Sequence, residues 1–524
     1  MAIKLILLIL FFAVMLYIGV RCRKNSTDVS GFVLGGRSVG PWLTAFAFGT
    51  SYFSAVIFVG YAGQFGWAFG VASTWIGLGN AFIGSLLAWV VLGRRTRVMT
   101  QHLDAKTMPE FFGRRYDSLP LQVAASAISF TFLIPYTASL FNGLSRLFDM
   151  AFHVDYAICV VVMAALTGLY VILGGYMATA INDFIQGIIM LFGILSVIIA
   201  ILRQHGGFMG SLSAMAEIPS DAYKGAFVSF FGPQPIYLIF VVLLTSLGTW
   251  GLPQMIGKFY AIKNEGAIQK GTIISTVFAI IVAGGCYFLG GFGRLFQTQQ
   301  QVDKNGFDAI IPAMLSHLPD ILIAIVLILV LSASMSTLSS LVLTSSSTLT
   351  LDFINQLQKK KNTDRQNLAI MRVFIAVFII ISAIIAIIQA SSKVTFIAQL
   401  MGISWGALAG AFLAPFLYGL YWKKTTKAAI AVAYIWGCCL MIVQLLISLE
   451  TLHVSGSFLG FIFTNSLYSG VFAMVSSLII VPIISVLTPQ TKPEDLEQKF
   501  ACYDQKVEVR AATVLSDRKD SPRK

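Results

Sequence analysis

A chain of 524 residues that is 57% hydrophobic and only 11% charged is not a water-soluble globular protein. Repeated apolar runs of 18 or more residues point to helices that cross a bilayer many times, and their continuity, with no period-two alternation, argues against a transmembrane β-barrel. The net charge of +13 does not indicate a nucleic-acid partner, because the basic residues sit between the apolar runs.

The chain reads as an all-α polytopic membrane protein of about thirteen spans. Residues 1–40 hold the first, 3–21, and a basic loop containing Gly35-Gly36-Arg37-Ser38. Charges follow this first segment, at Arg21, Arg23 and Lys24, so it reads as a retained span and not as a cleaved signal. Residues 41–203 hold five spans, at 41–64, 71–93, 119–145, 156–174 and 182–202. An extracellular loop is expected at 204–234. A second set of five fills 235–421, at 235–257, 270–293, from Pro319 to about Asp352, 368–390 and 394–421. Two more, 428–449 and 457–487, occupy 422–487, and 488–524 reads as a flexible, charged cytoplasmic tail. With the N-terminus outside, 29 of the 36 Lys and Arg residues fall on the cytoplasmic side, which fixes the expected orientation in a plasma membrane. In this reading the basic loops serve orientation alone. Six Cys show no metal spacing and five His are scattered, so neither a disulfide framework nor a metal cluster is expected.

Three features carry chemistry. The first is Leu331 to Asp352, an apolar span with twelve hydroxyls. Ala333, Ser336, Thr337 and Ser340 share one helical face. Uncharged hydroxyl oxygens suit a hard cation such as Na⁺, and Ser and Thr equally suit close packing of membrane helices. The second feature is a pair of interrupted spans, one near Gly49-Thr50-Ser51 and one at Gly248 to Gln254 with Gly251 and Pro253. They lie five spans apart and so cross in opposite directions, as a five-plus-five inverted repeat requires. Matched broken helices mark midplane sites in secondary transporters, and single Gly or Pro kinks are common in membrane helices. The third is Asp183, a carboxylate near a span end, which suits either a functional charge or a helix N-terminus.

The ordered set GGRS, GTSYFSA, MPEFFGRRY, LGGYMATAINDFIQ, GLPQMIGKF, GGFGR, ASMSTLSS with SSSTLTLD, and YGLYWKK resembles the sodium:solute symporter family over about residues 1–487. That resemblance implies a leucine-transporter-type 5+5 inverted-repeat core with one helix before and two after. It implies a Na⁺ site from the backbone carbonyls of Thr50, Phe53 and Ala333 and the hydroxyls of Ser336 and Thr337. It also implies a second Na⁺ site of Asp183, Ser336, Ser339 and Ser340, as in some members. Departures limit the substrate assignment. Tyr52 stands where the proline permease has an Asp, Val56 and Ile57 where sugar symporters have polar residues, and Thr249 where those have a gating Tyr.

The expected solute lining is Tyr52, Ser54, Ser246, Thr249, Trp250 and Gln254, with Trp75 and Asn80 further out. The reading is therefore a Na⁺-coupled symporter for a small organic solute, an amino acid such as proline, a carboxylate or a vitamin-like molecule. Its partners are that solute and the bilayer, with no nucleic acid, and it is expected to work as a monomer. The rival is a sodium-binding uniporter or channel-like permease. No paired acid and base suggest an enzyme.

Overall fold

The computed structural model describes residues 2–23, 27–152, 154–358, 362–389, 397–453, 456–489 and 493–504. Lys24, His153, the run Lys359 to Lys361, the start of the eleventh segment at 394–396 and the tail beyond Asp504 lie outside the described residues. The described chain is helical throughout, with a single isolated bridge between Val39 and Ile262.

By length and apolarity, ten helices qualify as membrane-crossing among the described residues, and eleven if the bent pair Pro235–Gly251 and Pro253–Ala261 counts as one span. Two of the ten are too long for one crossing. Val56–His102 has 47 residues and Tyr156–Arg203 has 48, whereas about 20 residues cross the hydrocarbon core. Each contains a glycine with positive φ that interrupts the regular helix, Gly70 at +63° and Gly175 at +57°.

The two most enclosed helices are Gln399–Tyr421 and Asp320–Leu357, 94% and 78% buried over their apolar windows. The second is the hydroxyl-rich stretch. It packs against Tyr156–Arg203, Leu119–Phe152, Pro41–Tyr52, Asp364–Gln389 and Ala2–Cys22, so it has no lipid-facing side in its middle. This explains why it carries so many hydroxyls. Ser334 and Thr350 return their hydrogen bonds to carbonyls four residues back and Ser346, Ser347 and Thr348 to carbonyls three back, which satisfies them without a partner helix.

Close backbone approach sets other joints. A Cβ on Gly66 would lie 2.0 Å from the Gly290 carbonyl oxygen, and one on Gly290 would lie 2.0 Å from that of Ala62. We expect Gly66→Ala to abolish a monodisperse folded protein on size exclusion, since backbone cannot yield as a side chain can. Gly284→Ala, whose added methyl meets nothing within 4 Å, serves as the tolerated control.

On the face that carries Lys106 and Arg114, the sequence motifs form one polar network. Arg37 holds a left-handed backbone at φ 55° and donates to the carbonyls of Ala105 at 2.6 Å, Tyr260 at 3.2 Å and Thr100 at 3.3 Å. Thr107 caps the helix Met108–Tyr116, and Arg115 donates to the Gly419 carbonyl at 3.0 Å. Asp352 accepts from Thr107 at 2.6 Å and Gln122 at 2.8 Å. The basic loops therefore do more than orient the chain. Their guanidiniums satisfy carbonyls at chain turns, which a charge count does not reveal.

The stretch read as tail also contributes. Pro493–Phe500 is helical, Lys499 pairs with Asp117, and the Arg115 guanidinium lies 4.8 Å from the Phe500 ring.

Candidate functional site

The first broken helix runs Pro41–Tyr52 and resumes at Ala55. The break falls at Phe53-Ser54, a few residues beyond the expected Gly49-Thr50-Ser51. Gly49 is helical and serves packing, for a Cβ there would lie 2.5 Å from the Phe278 ring. The second break repeats the geometry of the first. Phe53 sits at φ −106°, ψ 119° and Leu252 at φ −88°, ψ 117°. The Phe53 amide donates to Thr50 at 3.2 Å, and the Leu252 amide to Thr249 at 3.2 Å. Beyond each break the helix restarts on the carbonyl of the next residue or of the break residue itself, Ser54 to Ile57 at 3.0 Å and Leu252 to Met255 at 3.0 Å. The two half-helices of the second pair are bent by 50°.

At the end of Pro41–Tyr52 the break leaves the last carbonyls short of the amide donors of a further turn, the Phe53 amide on Thr50 excepted, and the helix dipole places partial negative charge there. The hydroxyl-rich helix meets this end. Ser336 Oγ is 3.0 Å from the Thr50 carbonyl oxygen and 3.1 Å from that of Ala333. Thr337 Oγ1 is 3.2 Å from Thr50, 3.3 Å from Phe53, 3.4 Å from Ser51 and 3.1 Å from Ala333. The fold thus brings Thr50, Phe53, Ala333, Ser336 and Thr337 to one place, with the Ser51 carbonyl as a sixth oxygen that sequence reasoning left out. Ligands at ~2.4 Å from a cation and at right angles to one another stand ~3.4 Å apart. The donor set is oxygen only and uncharged, which suits a monovalent hard ion. Gly187 permits the approach, since a Cβ there would lie 2.3 Å from Phe46 and 3.1 Å from Thr50 Cγ2.

Asp183 lies one helical turn before Gly187 and is fully buried. Its Oδ2 is 3.6 Å from Lys258 Nζ, and Lys258 donates to Ser340 Oγ at 2.9 Å. Ser339 donates to the Ser336 carbonyl of its own helix at 2.9 Å. Lys258, in GLPQMIGKF, was not singled out from the sequence. A lysine flanked by Met255-Ile256 and Phe259-Tyr260 was the available signal.

The expected solute residues divide into two groups. Tyr52 donates to the Thr245 carbonyl and stacks on Trp405 at 6.1 Å and 17°, and Trp405 meets Tyr136 edge-on at 5.8 Å. Ser54 Oγ, Tyr136 OH, Trp405 Nε1, Asn80 Nδ2 and Tyr287 OH are buried without a hydrogen-bond partner among the described residues. The Tyr136 hydroxyl lies beside Ser54 and Trp405, and that of Tyr287 beside Asn80. Such a cluster of buried polar atoms, with no partner outside itself, has the chemistry to take a bound solute. Tyr136, Tyr287 and Trp405 come from three further spans, so linear spacing could not have gathered them.

The second group is spent on the protein or lies elsewhere. Ser246 bonds Asn80 Oδ1 at 3.1 Å, Thr249 bonds the Ser246 carbonyl at 2.8 Å, and Trp250 bonds the Ile83 carbonyl at 3.1 Å. Trp75 bonds the Phe230 carbonyl at 2.9 Å and packs on its ring. Gln254 lies one turn from Lys258 and lines, with Lys106, Tyr176, Lys258 and Ser347, a small cavity of about 40 Å³ at the basic face. A larger cleft of about 830 Å³ opens at the other end, lined by Gln64, Trp67, Asp221, Arg294 and Gln299.

The chain is similar to known proteins along most of its length. A sodium/proline symporter of Staphylococcus aureus is 28% identical over 491 residues, covering 92% of each chain. That of Staphylococcus aureus strain NCTC 8325 is 29% identical over 493 residues, again covering 92% of each. A solved structure of a Na⁺-coupled sialic acid symporter in a substrate-bound outward-open state shares the fold, with TM-score 0.75 and 18% identity over 94% of this chain and 98% of that one. The sodium:solute symporter family model matches residues 32–437, and the chain belongs to that family.

Proposed function

We propose that this chain is a Na⁺-coupled secondary active symporter that takes up a small organic solute by alternating access. The observation that carries the reading is the convergence of the Thr50, Ser51, Phe53 and Ala333 carbonyls with the Ser336 and Thr337 hydroxyls. Sodium held there bridges the first broken helix to the hydroxyl-rich helix. It orders the break that carries Tyr52 and Ser54, so ion and solute share one element. Each then tightens the binding of the other by the same factor.

The buried polar cluster offers aromatic faces at Tyr52 and Trp405, with hydroxyls at Ser54 and Tyr136 and the amide of Asn80. These suit a compact, partly apolar solute such as an amino acid, a carboxylate or a vitamin-like molecule. Proline, named for the Staphylococcus aureus relatives, is the first to test. Splitting the two longest helices at Gly70 and Gly175, with the pair bent at Leu252 counted as one span, makes thirteen crossings, arranged as one helix, an inverted repeat of five plus five, and two more. The charge pattern places the N-terminus outside, the C-terminus in the cytoplasm and the protein in the plasma membrane. The monomer holds a complete site. In this orientation the larger cleft faces outward and the small cavity beside Lys258 faces the cytoplasm.

The test is uptake into proteoliposomes of labelled proline, other amino acids, carboxylates, vitamins and sugars, with and without an inward sodium gradient. Accumulation above equilibrium that requires the gradient is expected for one class. Equilibration without accumulation is the behaviour of a uniporter or channel-like permease and would replace this reading. Tyr136→Phe is expected to raise the half-saturating solute concentration about tenfold, the worth of one hydrogen bond of ~1.5 kcal/mol.

A further inference from the structure

We propose that the Lys258 ammonium is the resident cation of the Asp183–Ser340 pocket, standing in this chain where a second sodium would sit, so that one sodium accompanies each solute. The inference rests on the Na⁺-coupled reading above.

Four side chains offer themselves for a second ion: Asp183, Ser336, Ser339 and Ser340. Three of them are already committed. Ser336 points its hydroxyl at Thr50, and Ser339 bonds the carbonyl of Ser336. Ser340 accepts from the Lys258 ammonium at 2.9 Å and shares a 2.7 Å hydrogen bond with Ser51 Oγ. Asp183 is left with its single charge, and the ammonium lies 3.6 Å from it.

Both charges are taken out of water. The Lys258 side chain is 4% exposed and that of Asp183 is fully buried. A buried carboxylate needs one compensating charge, and here that charge is covalently attached to the second broken helix. A sodium ion entering beside it would meet a like charge in a medium that screens poorly. The Tyr176 ring, 5.4 Å from the ammonium, adds an aromatic face on the remaining side.

The position also couples the resident cation to the mobile one. Lys258 touches Ser340, Ser340 touches Ser51, and the Ser51 carbonyl is 3.4 Å from the Thr337 hydroxyl of the sodium site. The second broken helix therefore reaches the first through a fixed charge.

The experiment is equilibrium binding of ²²Na⁺ to the full-length chain in lipid nanodiscs. The parent is expected to saturate at one ion per chain. Lys258→Met frees Asp183 and Ser340 and is expected to bind two. Asp183→Asn combined with Lys258→Met removes both charges together and is expected to bind one. Two ions on the parent, or one ion on monodisperse Lys258→Met, would overturn the resident-cation proposal and leave sodium coupling standing. No ion on the parent would overturn the Na⁺-coupled reading itself. As a second readout, sodium is expected to raise the unfolding temperature of Lys258→Met more than that of the parent, and an equal rise would count against the proposal.

Discussion

Ser336→Ala combined with Thr337→Ala is expected to raise the half-saturating sodium concentration at least about a hundredfold, in uptake or in ²²Na⁺ binding. A hydrogen-bonding group that serves a charge contributes ~1.5–3 kcal/mol, so losing two is ~3 kcal/mol or more, and each 1.4 kcal/mol is tenfold in affinity. Helicity is not at risk, because alanine is the best helix former and the segment is held by packing on all sides. Ser339→Ala is the internal control. Its hydroxyl bonds the carbonyl three residues back and is not one of the six converging oxygens, so its loss should leave the sodium dependence nearly unchanged. Parent-like sodium dependence in a folded double variant would remove these hydroxyls from the site.

Asp183→Asn is expected to lower stability sharply, because it leaves the Lys258 ammonium buried without a counter-charge. Breaking a buried pair by removing one partner costs ~3–5 kcal/mol. Asp183→Asn with Lys258→Met should recover most of that loss, since neutral groups of similar volume need no compensation. Thermal unfolding in detergent without sodium reads both. A double variant no more stable than Asp183→Asn alone would mean that the 3.6 Å approach of these two groups contributes little. Uptake by the double variant, if stable, then separates the structural part of the pair from its part in coupling.

Some of this was legible in the chain because its cause is local. Apolar run length marks helices that cross a bilayer, and the placement of Lys and Arg sets their expected direction. Pro253 and Gly251 mark the second break correctly, as Pro cannot continue the preceding turn and Gly251 lies against Ala409, where a Cβ would come within 2.8 Å of backbone. The first break was displaced because Gly49, the obvious breaker, is there for the Phe278 ring, while Phe53 and Ser54, which bear the break, have no helix-breaking chemistry. The buried polar cluster was half legible. Tyr52 and Ser54 lie on the broken helix itself, whereas Ser246, Thr249 and Trp250 sit near the second break with their polar atoms bonded within the protein.

Apolar runs and helix-breaking residues are enough to show the class of the molecule and its interrupted helices, and the resemblance to the symporter family pointed to five oxygens for an ion. What stands beside them depends on the folded chain. Lys258 and Asp183 are 75 positions apart, and Tyr136, Tyr287 and Trp405 come from three different helices. Their meeting depends on how helices pack, and packing is set by shape and glycine contacts such as Gly187 on Phe46, which no periodicity in the chain encodes.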